Sequence, residues 1–87
     1  MRRTDDPFTC LLPSLDIHGE TMISGVIKVK DFISDNIILH NKKIIIIHGK
    51  GYGILRQAVR DYLKTDKRVA SIKLDYFNSG ITVVELI

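Results

Sequence analysis

Residues 44–56 of the chain read IIIIHGKGYGILR, and the character of the sequence changes twice within them. The four consecutive isoleucines, Ile44 to Ile47, are β-branched, which is typical of a strand that is central in its sheet or covered on both faces. Beyond the glycine-rich turn, apolar residues recur at intervals of three and four: Ile54, Leu55, Ala58, Val59, Tyr62 and Leu63. That spacing predicts an amphipathic helix, so the segment predicts a strand, a turn and a helix.

A similar unit comes earlier in the chain. A short apolar strand from Ser14 to Ile17 stops at His18-Gly19. From Thr21 to Leu39 the apolar residues again have helical spacing, and Gly25 lies inside this helix at a cost of about 1 kcal/mol relative to alanine.

Two more strands are predicted after the second helix. The segment from Val69 to Asp75 alternates in polarity. Asn78-Ser79-Gly80 supplies a turn, and Ile81 to Ile87 predicts a strand antiparallel to the one before it. The apolar face of the first of these strands is expected to hold Ala70, Ile72 and Leu74.

The predicted order is therefore βαβαββ. Right-handed crossovers make the first two strands parallel and bring both helices to one face of the sheet. We expect an α/β protein, more specifically an α+β two-layer sandwich, with a four-stranded mixed sheet, two helices on one face and a largely uncovered second face.

The chain has 87 residues, which suffices for one core but not for two. Residues 1–13 hold both prolines and show no sustained period, so we expect an irregular N-terminal arm and one domain over residues 14–87. A hydrophobic fraction of 45% and a charged fraction of 26% favour a soluble globular domain. The net charge of +3 permits an anionic partner without requiring one.

Cys10 is the only cysteine, so an internal disulfide is excluded and a reducing, cytoplasmic setting is expected. The first residues, MRRTDDPF, do not form the apolar stretch of a secretory signal. The longest aliphatic run, Ile44 to Ile47, is far shorter than the ~20 residues that a spanning helix needs, so no membrane partner is expected.

Two strand-to-helix turns fall at equivalent points of the two units. If their strands are parallel neighbours, both turns open at the carboxyl edge of the sheet, where open α/β folds bind ligands. Asp16 and His18 are two residues apart and point to one face; with His48 from the second turn, they are candidate catalytic groups. The alternatives are capping or packing roles for each of them.

The second turn also contains a candidate phosphate site. Three glycines that permit positive φ and close approach of a ligand precede a helix start, whose free N–H groups attract phosphate; they are Gly49, Gly51 and Gly53. Lys50 adds a full charge. No Gly-Lys-Ser/Thr closes the loop, and Ile54 stands where a dinucleotide fingerprint has its third glycine. No nucleotide cofactor is therefore expected.

Arg56, Arg60 and Lys64 follow at intervals of four and form one stripe on the second helix. A nucleic-acid backbone could follow this stripe, with Tyr52 stacking on a base, although Asp61 and Asp66 weaken the local field. A solvated helix face and an ordinary exposed tyrosine are the alternatives.

One further constellation concerns a metal. Asp16, His18 and His48 are together the ligand types of a non-haem metal site. The neighbouring Lys50 and Arg56 would oppose a divalent cation, so we expect no metal and no other cofactor.

Three segments together resemble the small MutS-related domain, the Smr domain, over about residues 14–87: Leu15 to Gly19, Ile46 to Arg56 and Gly80 to Leu86. The resemblance implies a two-layer fold similar to the C-terminal domain of bacterial translation initiation factor three. It also implies nucleic-acid binding and, in many members, endonuclease activity on DNA or on messenger RNA at stalled ribosomes.

The family's motifs fall on specific residues of this chain. The Asp-x-His motif falls on Asp16 and His18, and the His-Gly-x-Gly motif begins at His48. The arginine that follows is Arg56. Tyr52 stands where many members carry a small polar residue.

The leading hypothesis is a metal-independent endonuclease that prefers RNA. His18 would be the base that activates a ribose 2′-hydroxyl, and Asp16 would orient it. Lys50, Arg56 and the loop amides would stabilise the developing charge. His48 would be the acid or, with equal weight, a structural residue of the turn. The alternatives are a module that binds nucleic acid or the ribosome without cutting, and a protein-interaction domain.

Overall fold

The computed structural model of the protein describes residues 12–49, 53–74 and 80–87. These ranges contain six elements in the predicted βαβαββ order. They are β1 (Ser14–Asp16), α1 (Met22–Ile38), β2 (Lys43–Ile47), α2 (Ile54–Thr65), β3 (Val69–Leu74) and β4 (Ile81–Leu86). Most of the expected arm over residues 1–13, and the expected turn residues Asn78 and Ser79, lie outside the described residues.

The strands form one mixed sheet with the order β1-β2-β4-β3. β1 and β2 are parallel neighbours, while β4 lies antiparallel between β2 and β3. β2 is therefore central, as its run of isoleucines predicts. β3 is parallel to β2, since β4 lies between them and is antiparallel to both. The connection through α2 therefore crosses the position that β4 fills.

The core lies between the two helices and one face of the sheet. Alternate residues of β2 and β4 on that face pack with residues of both helices: Ile44, Ile46, Val84 and Leu86 from the strands, and Val29, Ile33, Val59 and Leu63 from the helices. The predicted two-layer class is confirmed. In the described ranges, no helix has the length and apolar character needed to cross a membrane.

The two helices approach closely at Gly25 of α1. A β-carbon at that position would stand 2.7 Å from Cδ1 of Leu55, at the start of α2. A side chain there would have to displace the end of the Leu55 side chain. The glycine therefore offsets its unfavourable helix propensity by permitting this contact.

The alternation expected for β3 is wrong at its start. Val69 pairs with Leu86 and Ser71 pairs with Glu85, so Ala70 is the extra residue of a β-bulge. Val69 and Ile72 pack against the core, whereas Ala70 is exposed. The extra residue shifts the alternation by one position, which moves Val69 to the inner face in place of Ala70.

A polar cluster ties the C-terminal end of α2 to α1. The Arg68 guanidinium donates to both carboxylate oxygens of Asp66, at 3.0 and 2.8 Å, and to Ser34 Oγ of α1 at 2.8 Å. The Tyr62 hydroxyl donates to Asp66 at 2.6 Å. This cluster neutralises the Asp66 charge within the fold.

Candidate active site and nucleic-acid interface

The two strand-to-helix turns lie side by side at one edge of the sheet. Asp16 is in register with Ile47, and the Ile17 N–H donates to the Ile47 carbonyl at 2.8 Å. The backbone of Gly49 lies directly against the side chain of His18. The geometry therefore brings the Asp16–His18 segment and the His48–Gly49 segment together.

Asp16 and His18 form a hydrogen-bonded pair at this edge. The Asp16 Oδ1 atom accepts from the His18 backbone N–H at 3.0 Å and lies 2.5 Å from His18 Nδ1. A carboxylate only accepts hydrogen bonds, so Nδ1 carries the hydrogen and the neutral ring has its lone pair on Nε2. The His18 side chain is 71% exposed, so a ligand at the edge can reach that lone pair.

The pair changes the basicity of both groups. The hydrogen bond from Asp16 raises the pKa of His18 above its ordinary value, and the carboxylate charge adds to the effect. The same hydrogen bond lowers the pKa of Asp16. The result is an ionised carboxylate beside an imidazole that is a stronger base than free histidine.

His48 occupies a different environment from His18. It is only 4% exposed and points toward the helix side of the sheet, where its Nε2 lies 2.8 Å from Thr82 Oγ1. Its Nδ1 lies 3.0 Å from the Gly49 carbonyl oxygen, which only accepts, so Nδ1 donates and Nε2 accepts from the Thr82 hydroxyl. Both ring nitrogens are thus engaged inside the fold, a geometry that favours the structural alternative for His48.

Burial is the main cause that lowers the pKa of His48. The hydrogen bond to the Gly49 carbonyl opposes this effect, and the charge of Arg56 adds to it. His48 is therefore a neutral imidazole at neutral pH.

β4 holds the second turn in place. The Gly80 carbonyl accepts from the backbone N–H of His48 at 2.9 Å and from that of Gly49 at 3.1 Å. The Gly49 N–H is thus used within the fold. Of the properties expected of Gly49, the structure shows the positive φ, which is +81°.

α2 begins after the second turn, and no side chain of its N-cap residue caps its first turn. Gly53 is its N-cap residue, with φ +78°, and provides no side-chain hydrogen bond to the first turn. The Arg56 guanidinium folds over this position, since a β-carbon at Gly53 would stand 3.0 Å from Arg56 Nη2. A helix start and a cation are therefore adjacent, a combination that attracts phosphate. Lys50, Gly51 and Tyr52 lie outside the described residues.

The basic stripe lies on α2 as its spacing predicts. Arg56 and Arg60 are half-buried, and Lys64 is exposed. Asp61 is exposed next to the stripe and accepts a hydrogen bond from Gln57 at 2.8 Å.

Asp16, His18 and His48, which are of the ligand types of a non-haem metal site, do not form such a group in the structure. Within the three described ranges, no three histidine, cysteine, aspartate or glutamate side chains converge on one point. His48 directs its ring away from Asp16 and His18.

Thr82 was not foreseen as part of the site. It lies on the inner face of β4, in alternation with Val84 and Leu86, and it is fully buried. A single polar residue in an apolar alternation requires a hydrogen-bond partner, which is the signal that could have identified it.

Comparison with known sequences identifies relatives of the whole described domain. The family model of the Smr domain matches residues 15–87. The chain is 39% identical over 66 residues to Endonuclease MutS2 of Finegoldia magna, a match that covers 76% of this chain and 8% of that protein. It is 39% identical over 75 residues to Endonuclease MutS2 of Bacillus cytotoxicus, covering 83% and 10% respectively. The chain thus spans a tenth or less of the length of these curated relatives.

Solved structures share the fold. The crystal structure of the Smr domain of Thermus thermophilus MutS2 has a TM-score of 0.83 and 33% identity, covering 87% of this chain and 99% of that one. YdaL, a stand-alone small MutS-related protein from Escherichia coli, has a TM-score of 0.79 at 24% identity, covering 84% and 63%, and shows the shared fold alone. With the family model matched over nearly all of its length, the chain belongs to the Smr domain family.

Proposed function

We propose that this protein binds nucleic acid at the carboxyl edge of its sheet and cleaves RNA there as a metal-independent endonuclease. The observation that carries the proposal is the Asp16–His18 pair, in which a carboxylate fixes Nδ1–H and the exposed ring keeps its lone pair on Nε2. The relatives named Endonuclease MutS2 support nuclease chemistry in this family.

The proposed reaction uses the RNA's own 2′-hydroxyl. His18 Nε2 removes the 2′-hydroxyl proton, the 2′-oxygen attacks the adjacent phosphorus, and the bond from phosphorus to the 5′-oxygen breaks. The leaving 5′-oxygen takes a proton from water at the open edge. The products are a 2′,3′-cyclic phosphate and a 5′-hydroxyl, and Asp16 stabilises the imidazolium that forms.

Positive charge at the start of α2 is proposed to bind the reacting phosphate. Arg56 and the first turn of α2, which has no side-chain cap, supply a cation and N–H donors. We propose that Lys50 and the amide of Gly51 contribute to the same contact. Tyr52 is proposed to stack on a base. Arg60 and Lys64 continue the contact along the backbone, while His48 positions the turn from inside the fold.

The preference for RNA follows from the chemistry, since DNA lacks the 2′-hydroxyl. A cytoplasmic setting is part of the proposal, because a chain with Cys10 as its single cysteine needs no oxidising compartment to fold. Ribosome-bound RNA is then an available substrate.

One observation favours a second candidate function. His48, which the sequence offered as the candidate acid, has both ring nitrogens engaged inside the fold, so the described part of the edge presents the base His18 without an acid partner. A module that grips nucleic acid or ribosomal RNA without cutting it would need only the helix start and the basic stripe.

Incubation of the pure protein with labelled RNA and DNA of one sequence, with and without a chelator, separates these functions. We expect cleavage of RNA that survives chelation and disappears in His18→Ala, while binding persists in that variant. Binding by the wild type without any cleavage would select the non-catalytic module. Absence of binding would contradict both.

A further inference from the structure

A second stripe runs along α2 beside the basic one. Gly53, Gln57 and Asp61 are spaced by four, and Gln57 and Asp61 directly follow Arg56 and Arg60 of the basic stripe in sequence. With Met22 at the start of α1, and with Ile54, Arg56 and Ala58, this second stripe lines an open groove of about 560 Å³. The groove therefore adjoins the proposed phosphate contacts along one side of the helix.

Part of the groove wall is apolar. Met22 is 51% exposed and Ile54 is 60% exposed, so two large aliphatic side chains are left open to solvent next to a charged stripe. Such a surface is suited to the flat face of an unstacked base, because contact with the base removes apolar area from water.

The rim of the groove is polar and directional. Gln57 Nε2 donates to Asp61 Oδ1 at 2.8 Å, which fixes the orientation of the carboxylate. A carboxylate has about four acceptor positions, so the bond from Gln57 leaves Asp61 able to accept two more. The rim thus offers acceptors to a ligand that carries adjacent donors.

We propose that this groove binds one unstacked guanine of a nucleic acid whose phosphates lie along the Arg56, Arg60 and Lys64 stripe. Guanine presents two adjacent donors, N1–H and the N2 amino group, on its Watson–Crick edge, and these match a carboxylate in a bidentate arrangement. Adenine, cytosine and uracil each have only one donor group on that edge. The inference rests on the proposed nucleic-acid binding and adds a base preference to it.

The charge of Asp61 makes the groove selective. A carboxylate beside an anionic backbone repels the ligand unless the ligand supplies donors to it. Guanine does so with two hydrogen bonds. The geometry also requires a base that is free of a duplex, so the groove favours single strands and loops.

The test is fluorescence anisotropy with short single-stranded 2′-O-methyl oligouridine probes, which cannot be cleaved by the proposed route. The probes are identical except for one central position, which holds guanine, hypoxanthine or adenine. Hypoxanthine differs from guanine only by lacking the N2 amino group. We expect the guanine probe to bind about tenfold more tightly than either of the others.

Two variants assign the preference to the groove. In Asp61→Asn the ratio of guanine to hypoxanthine affinity should fall toward one, while the affinity for the adenine probe is retained or rises. The matched control is Asp31→Asn, which removes an equal charge from the exposed surface of α1 and should keep the full ratio.

The outcomes separate this inference from the proposed function. Equal binding of all probes by the wild type, with the usual loss of affinity in salt, would overturn the guanine site and leave nucleic-acid binding intact. A guanine preference that survives in Asp61→Asn would also overturn it. Failure of every probe to bind would contradict the proposed function and this inference together.

Discussion

A β-carbon on Gly49 would stand 3.3 Å from the β-carbon of His18. The second turn of the sheet edge therefore presses its backbone against the residue that we propose as the base. Glycine is favoured there for two reasons, a φ of +81° and the close approach itself. This contact between the two turns therefore helps to position His18 at the edge of the sheet.

This contact predicts a specific effect of Gly49→Ala. Gly19→Ala is the matched control, because Gly19 has a φ of +82° and a β-carbon there would meet nothing within 4 Å. Both variants should lose about 1–2 kcal/mol of stability to the left-handed backbone conformation. Gly49→Ala alone should also lower the rate of RNA cleavage roughly tenfold, because it displaces His18. Urea unfolding and single-turnover kinetics measure the two effects, and an equal loss of rate in both variants would contradict the prediction.

The Asp16–His18 pair predicts the pH dependence of cleavage. The base must be neutral, so the rate should rise with pH and reach a plateau above the pKa of His18, which Asp16 raises above the ordinary 6.5. In Asp16→Asn the inflection should move down toward that ordinary value. The plateau should also fall at least roughly tenfold, because the imidazolium loses its carboxylate. Single-turnover rates from about pH 5 to about pH 9 provide the test, and an inflection that Asp16→Asn leaves in place would count against the pair.

The buried His48 predicts a pH dependence of stability. Burial lowers the pKa of His48 in the folded state below the unfolded value of 6.5. The stability of the fold is therefore unaffected by His48 protonation above that pH and decreases as pH falls below it, because the unfolded chain then binds the proton more readily. We expect the His48→Gln variant to lack this decrease in stability at low pH. The measurement is the difference in urea unfolding free energy between the wild type and His48→Gln at about pH 7.5 and at about pH 5.5. Because both proteins contain His18, its opposite contribution cancels in this difference. A difference that does not change with pH would show that His48 is not held neutral.

The hydrogen bond between Thr82 and His48 leads to a prediction in which stability and the rate of cleavage respond differently to one substitution. Thr82→Val keeps the shape and removes the hydrogen bond to His48 Nε2, so stability should fall by about 1–3 kcal/mol. The plateau rate of RNA cleavage should change much less than in His18→Ala, because His48 acts by positioning. A plateau rate lowered as far as in His18→Ala would assign His48 a direct part in the reaction.

The Asp66–Arg68 ion pair predicts sensitivity to acid. Arg68 holds the pKa of Asp66 far below its ordinary 3.8, so the stability that the pair contributes is present above that value and is lost as pH falls below it. Asp66→Asn should lower the free energy of unfolding by about 2 kcal/mol at neutral pH. The stability of the variant should also decrease less steeply than that of the wild type in acid. Thermal unfolding at several pH values measures both effects, with Asp31→Asn as the control. Binding of nucleic acid should be unchanged at temperatures where the variant is folded.

Much of the fold was predictable because its signals are periodic. The isoleucine run predicted a central β2, and helical spacing predicted α1 and α2 to within a residue or two of their ends. The bulge at Ala70 was not predictable, since a single extra residue looks like ordinary alternation until its pairing with β4 is known.

The site was predictable in position but not in orientation. Sequence order placed His18 and His48 at one edge, because parallel neighbours end together. It left open whether His48 has a chemical or a structural role, since the inward turn of its ring depends on Thr82, which lies 34 residues further along the chain. The close contact at Gly25 likewise depends on the packing of two helices, which local propensity does not contain.

The proposed cleavage depends most directly on the 2′-hydroxyl of the substrate. The measurement is the single-turnover cleavage rate of an RNA that carries one 2′-deoxy nucleotide at the scissile position, beside the unmodified RNA. The account predicts that cleavage at that position is lost while binding is retained, and that the unmodified RNA yields a 2′,3′-cyclic phosphate. Cleavage of both substrates at the same rate would contradict it.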